Sequence, residues 1–222
     1  MIQRYSLPLA VTELLPFLLS TLGLFFIARM LKRKNEIIGE LAYTSAFLII
    51  AGNLLGVAGK LLNSTKGSDT EWMSRSVFLL LAPGTVGLAW ALWKGLRDRV
   101  TEMTAGQVWL LPLFLNAGML ALTAATKLVK GGRVWVTILL TVLTVAGVAA
   151  SVQLARRALH HQQIVVAGLF LLSMVMSLTL NRMGGDGSSP EVAEWAKLVS
   201  NSIAQAAFAF AAYKLGQSES NT

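Results

Sequence analysis

Six polar side chains stand where long apolar runs call for apolar ones. Glu13 lies about six residues into the first run, three residues before Pro16, and Lys60 lies three residues short of the end of the second. Burying an ionisable group in hydrocarbon is expensive, so such a residue marks a place where an ion pair, a proton or a cation is held. At 1.5 Å of rise per residue, Glu13 sits roughly 9 Å from its helix end. Lys60 falls at a comparable depth if the two helices run antiparallel. The spacing predicts a Glu13–Lys60 pair, or a Glu13 that carries a proton or cation; its bland alternative is a carboxylate facing headgroup water. Asn53, Asn116, Asn201 and Gln205 are amides near mid-span. In lipid such groups either bond across helices or line a polar cavity. Glu13, Asn53, Lys60, Asn116, Asn201 and Gln205 are therefore the candidate substrate-binding residues.

Other chemistries lack their residues. With no cysteine there are no thiolate metal ligands, disulfides or Cys nucleophiles. The two histidines, His160 and His161, are adjacent in a loop after Arg156-Arg157 and read as solvated, with no metal site. Met174 and Met176 are two apart and cannot share a helix face. No phosphate loop, Ser-His-Asp set or catalytic constellation is present, and nothing points to a particular cofactor. Lys60, Lys127 and Arg182, with Lys130 and Arg133, fall at one depth and form either an anion-attracting vestibule or a set of snorkelling anchors.

The elements that must position these residues follow from composition. The chain has 222 residues, of which 55% are hydrophobic and 14% charged, and a mean hydropathy of +0.62. A soluble domain of this size could not clothe that much apolar surface. About 20 helical residues cross a hydrocarbon core, and seven runs have that length: Leu7–Leu31, Ile37–Asn63, Arg75–Lys94, Ala105–Lys127, Val134–Gln153, Ile164–Asn181 and Pro190–Leu215. The alternation of a barrel strand is absent, so the backbone must be satisfied within helices. The first run is too long for a signal peptide and ends in basic residues, the wrong flank for cleavage. The fold class is all-α: one polytopic membrane domain, a bundle of seven transmembrane helices.

Net charge is +8, which in a soluble protein would suggest nucleic acid. Here the basic residues close helices instead, and no nucleic-acid partner is expected. They divide 10 against 9 between the two faces. The dense first loop, Arg29 to Lys34, favours an outside N-terminus and a cytoplasmic C-terminus, in a plasma or inner membrane. Trp72, Trp135 and Trp195 open the third, fifth and seventh helices at spacings of 63 and 60 residues. That pattern fits one lead helix followed by three hairpins, although interfacial Trp and helices of similar length would also produce it. Ser68-Asp69-Thr70-Glu71 and Ser188-Ser189-Pro190-Glu191 read as capping boxes.

The layout resembles that of microbial rhodopsins, which carry a retinal lysine near the middle of the seventh helix. Here Lys197 comes too early and Lys214 too late. It also resembles the carriers with 3+1+3 topology, whose Pro-Gln signature is missing. Ala82-Pro83-Gly84 and Pro112 are expected to interrupt the third and fourth helices, as unwound segments do in carriers. Gly52 and Gly56 form a small-xxx-small contact face. The leading expectation is a small-molecule or ion transporter with its polar site between helices one to four and seven. The alternative is an accessory subunit docking through Gly/Ala-rich faces, notably the seventh helix around Ala204 to Ala212. A lipid-modifying enzyme comes third. The bilayer itself is the one partner the composition requires.

Overall fold

Pro16 has no N–H to give the Thr12 carbonyl, and the first apolar run breaks there. A computed structural model, which describes residues 6–66, 71–97, 104–130, 134–183 and 191–219, divides it into α1 (Leu7–Thr12) and α2 (Leu14–Lys34). Glu13 is the single turn residue between them, and its N–H still reaches the carbonyls of Leu9 and Val11. The two segments thus make one apolar stretch, Leu7–Lys34. After it come α3 (Glu36–Lys66), α4 (Glu71–Gly95), α5 (Ala105–Lys130), α6 (Val134–His160), α7 (Ile164–Met183) and α8 (Glu191–Ser218). Asn35 starts α3 by accepting the Ile38 N–H on its side-chain oxygen (3.1 Å). Every regular element among the described residues is a helix.

Five helices are long and apolar enough to cross a membrane: Leu7–Lys34, Glu36–Thr65, Ser76–Gly95, Ala105–Leu128 and Val134–His160. The sequence predicts seven. The sixth apolar segment, Ile164–Leu180, is shorter. The last helix is diluted by Asn201, Gln205 and Lys214, and its many alanines add little hydrophobicity. The molecule is an all-helical bundle consistent with membrane embedding. The capping boxes at 68–71 and 188–191 fall largely outside the described residues, as do Arg133 and the side chains of Lys130 and Arg182.

Six helices close a ring in the order α2, α3, α4, α6, α7, α8 and back to α2, and α5 lies outside it against α4 and α6. The α3–α4 seam is a close one. A Cβ on Gly84 would come within 2.9 Å of the Ser45 carbonyl, and one on Gly87 would collide with the Ser45 hydroxyl. Gly52 faces Leu81 at 3.0 Å, while Gly56 clears Val77 at 3.5 Å. The small-residue face expected at Gly52 and Gly56 is thus part of a longer seam, and Gly84 and Gly87 complete it from the other side. Pro83 does not interrupt its helix, and neither does Pro112; α4 and α5 run through both. Neighbouring helices and side chains re-satisfy what a proline frees, and Asn116 Nδ2 donates to the Pro83 carbonyl (3.4 Å).

The alanine face of α8 is used within the chain. Ala204, Ala209, Ala211 and Ala212 are buried, and α8 packs on α2 and α7. Gly23 of α2 lies directly against Phe208. Much of the alanine face expected to dock a partner thus packs inside the bundle, while Ala206 and Phe210 stay exposed. The three tryptophans that open alternate helices also differ in setting: Trp72 is 64% exposed, Trp135 is 8% exposed and Trp195 is half-buried.

Let the end of the bundle where α1 begins be the upper end. The larger core cluster, with Leu31, Ile38, Leu92, Leu154 and Leu215 wholly or almost wholly excluded from solvent, fills the lower half. A smaller cluster of Ala82, Met119, Trp135 and Leu139 fastens α5 to α4 and α6. Trp90 adds a hydrogen bond from Nε1 to the Val108 carbonyl (3.0 Å). The upper half of the ring is not filled.

Candidate functional site: a lumen inside the helix ring

Large side chains meet at the ring axis in its lower half, whereas the upper half presents Ser20, Asn53, Gly56, Asn201 and Gln205. A cavity of about 360 Å³ results, lined also by Glu13, Pro16, Phe17, Val57, Lys60 and Val77. Its walls come from the α1–α2 junction, α3, α4 and α8. The break at Glu13 matters here, because it lets the carboxylate stand at the cavity's edge.

Lys60 Nζ donates to Glu13 Oε1, 47 residues away in sequence. The Glu13 side chain is 19% exposed and that of Lys60 is 35% exposed, so the pair sits at a mouth and not in a sealed core. A partly exposed pair of this kind is cheaper to separate than a sealed one. Deeper in, Gln205 Nε2 donates to Asn201 Oδ1 (3.4 Å) one turn away on α8. That bond leaves the Asn201 amide hydrogens and the Gln205 carbonyl for another partner. Ser20 spends its hydroxyl hydrogen on the Phe17 carbonyl (2.9 Å) and so offers acceptor lone pairs.

Asn53 and Gln205 also line a second cavity of about 280 Å³, which continues toward the middle of the bundle. All six ring helices contribute to it. Its wall is mainly apolar, with the hydroxyls of Thr85, Thr144, Ser151, Ser173 and Ser177. Thr85 and Thr144 donate to the carbonyls four residues earlier, at 2.5 and 2.8 Å. Its floor is Ile27, Leu88 and Leu154, each at most 5% exposed. The lumen thus passes from a charged mouth, through carboxamides, to an uncharged chamber.

Of the six residues singled out from sequence, Glu13, Asn53, Lys60, Asn201 and Gln205 line this lumen. Asn116 does not: α5 is outside the ring, and its amide serves the Pro83 carbonyl. Helix four therefore drops out of the expected site, and α6 and α7 enter it. The signal for them was present as hydroxyls at helical spacing, Thr144 with Ser151 and Ser173 with Ser177. Of the residues expected to form an anion vestibule, Lys60 and Lys127 have described side chains. Lys60 is bonded to Glu13, and Lys127 extends over the Trp135 ring at 5.8 Å. Lys94 over Trp90 (4.9 Å) repeats that interfacial pattern.

The lower end carries a cluster the sequence reading passed over. Glu219, just past α8, is 6% exposed and accepts from Lys34 Nζ at 2.7 Å and Arg157 Nε at 2.5 Å. His161 Nε2 lies 3.0 Å from the same carboxylate. Burial alone would raise the Glu219 pKa; the hydrogen bonds and charges of Arg157 and Lys34 outweigh it and hold the pKa at about 2, against an ordinary 4.5. His161, expected in water, is instead 13% exposed within this clamp. Gln162, in the left-handed conformation (φ 57°), turns the chain so that His161 points back toward it. The clamp joins the lower ends of α2, α6 and α8 beneath the filled half of the core.

No protein-family model matches the chain, and no curated protein or solved structure matches it either.

Proposed function

We propose that the chain is a seven-span protein of a plasma or inner membrane, N-terminus outside and C-terminus cytoplasmic, that moves a small polar solute or ion through the ring lumen. On this reading α1–α2 form the lead span, and α3–α4, α5–α6 and α7–α8 form three hairpins. The observation that carries it is the lumen itself, lined by all six ring helices, with an ion pair at its upper mouth and a sealed lower end. A binding cavity accessible from one side and closed at the other suits a carrier. An ion pair that a solute's own charges can replace suits the binding step, and the amides and hydroxyls beyond it can receive the rest of a hydrogen-bonding molecule. The reading commits to no substrate beyond that class.

The lack of native cysteine permits a direct test. Gly56→Cys lines the lumen, and Ala158→Cys lies in the sealed half. A charged, membrane-impermeant maleimide should label the first in oriented vesicles and spare the second. Purified protein in liposomes should then take up at least one member of a panel of labelled amino acids, sugars and monovalent cations. An unlabelled Gly56→Cys, or liposomes that move nothing in the panel, would end the transport reading.

One observation favours a second reading, that of an accessory subunit. On α5, which lies outside the ring, Ala117, Ala121 and Ala125 are all exposed at four-residue spacing, a face suited to close contact with another membrane helix. Cross-linking from Ala121→Cys in the native membrane tests it. A defined adduct with a second protein supports this reading, and adducts with none discard it.

A further inference from the structure

A pocket of about 220 Å³ lies at the lower end, outside the ring lumen, between the last turns of α4 and α6. Arg97, Arg156, Arg157 and His160 line it together with Trp93 and Leu96, and no carboxylate is among its described lining residues. Basic residues at helix ends are ordinary anchors and orient a bundle. Anchoring explains a lysine or arginine that reaches outward alone. It does not explain Arg97 and Arg156, both exposed, bordering one concavity beside Arg157, whose charge Glu219 already meets.

The individual placements sharpen this. Arg97 is exposed and stacks over the Trp93 ring at 4.8 Å, which fixes one guanidinium plane at the rim. Arg156 is exposed on α6. Arg157 reaches the Glu219 carboxylate through Nε and Nη2, so its orientation is set by the clamp. Arg97 is thereby pre-positioned with its fork open, and Arg156 lies on the facing helix, while the Arg157 fork is spent on Glu219. Planar forks of this kind match the oxygens of a phosphate group, and concave low-dielectric walls concentrate their field. Trp93 and Leu96 add an apolar ledge beside the charges, at the helix ends where headgroups lie.

We propose that this pocket binds a phosphate group, and that its source is the headgroup of an anionic phospholipid. Arg97 and Arg156 hold the phosphate oxygens, Arg157 with its Glu219 partner forms the inner wall, and Trp93 with Leu96 receives the start of the lipid's apolar part. A basic pocket between helices on one face of a membrane protein has the chemistry for such a headgroup. The proposal stands apart from the transport reading and uses none of the lumen residues.

The test uses the full chain, purified in mild detergent and stripped of lipid, then titrated with dioleoylphosphatidylglycerol or dioleoylphosphatidylcholine and read by native mass spectrometry. The anionic lipid should bind at least roughly tenfold more tightly, as expected when no choline cation offsets the phosphate charge that the guanidiniums meet. Arg97→Gln with Arg156→Gln should bring the two lipids to within about twofold of each other. Arg97→Lys with Arg156→Lys keeps the charge, removes the fork, and should fall between. The lysine pair also serves as the folded comparator should the glutamine pair prove unstable. Equal binding of the two lipids by the native chain overturns the proposal, as does a preference that survives both double variants. Inorganic phosphate separates the sources. If it displaces the anionic lipid at millimolar concentration while the lipid's own preference is small, the site takes a soluble phosphate and the headgroup assignment fails. If it does not, the headgroup assignment stands.

Discussion

Two carboxylates mark the two ends of this bundle, and they live in opposite circumstances. Glu13 faces one ammonium group at the mouth of a cavity, 19% exposed, with its partner more exposed still. Glu219 is 6% exposed and meets Lys34, Arg157 and His161 at once. The difference lies in desolvation and in the number of partners. A pair with water beside it has an alternative for each charge, so separating it is inexpensive. A carboxylate held in a closed site by several bases has no such alternative, and removing it strands buried positive charge. The upper pair is therefore the cheaper of the two to separate, and the lower carboxylate the costlier to remove.

The sharpest way to break this contrast is Glu219→Gln. It leaves Arg157 and Lys34, themselves only partly exposed, facing an uncharged amide. We expect a loss of about 3 kcal/mol and an apparent Tm in detergent lower by roughly 5–10 °C. A fall no larger than that seen on changing Glu13 would mean the two ends are alike.

The pH dependence of the same residue is the next test. Its pKa is about 2 when folded and 4.5 ordinarily. For a depressed carboxylate, the stabilisation is fully present above the ordinary value and is lost as the pH falls through the folded one. Native protein should hold its Tm from neutral pH down to about 4.5, then lose stability toward pH 2 by on the order of 3 kcal/mol. Glu219→Gln should lack this component, so the two curves should approach each other in that window. Curves that stay parallel would show that Glu219 is not held as described.

These two ends were not equally legible in the sequence. Glu13 and Lys60 could be found because a charge within an apolar run is conspicuous, and antiparallel neighbours put equal depths together. Asn53, Asn201 and Gln205 were conspicuous for the same reason. Glu219 was not, since a glutamate beyond the last helix is ordinary and only the ring topology brings it to Lys34 and Arg157. Topology also decided Asn116. By depth alone it resembles Asn53, but α5 lies outside the ring, and nothing in its own residues distinguishes it from a ring helix. The hydroxyls of α6 and α7 were overlooked because Ser and Thr are common in membrane helices and usually bond their own backbone. The proline interruptions failed because a proline predicts a local hydrogen-bond deficit, which neighbouring groups can satisfy without unwinding. Ahead of Pro16 the break did occur, at Glu13, which lines the cavity.

Glu13→Gln is the counterpart at the upper end. The amide is nearly the same size and can still accept from Lys60, so stability should change by less than about 1 kcal/mol, a Tm shift of roughly 3 °C or less. Solute uptake into liposomes should fall by roughly tenfold or more, since a charge-assisted bond at the mouth is replaced by a neutral one. A large Tm loss with unchanged uptake would reverse the assignment and make Glu13 a structural residue like Glu219.

The smallest effect belongs to Asn116→Leu, and it separates a lumen amide from a packing amide. Its Nδ2 makes one long bond to the Pro83 carbonyl (3.4 Å), while its Oδ1 is buried without a partner. Replacement removes a modest bond, worth about 0.6 kcal/mol between membrane helices. It also removes an unsatisfied acceptor, whose burial is itself unfavourable. The two terms oppose, so the net change in stability should lie within about 0.5 kcal/mol of zero. Uptake should be untouched, because the side chain borders neither cavity. Asn53→Leu, an amide at similar depth but on the shared wall of both cavities, should impair uptake while leaving Tm comparably unchanged. If the two variants behave alike, depth in the membrane governs function here and membership of the ring does not.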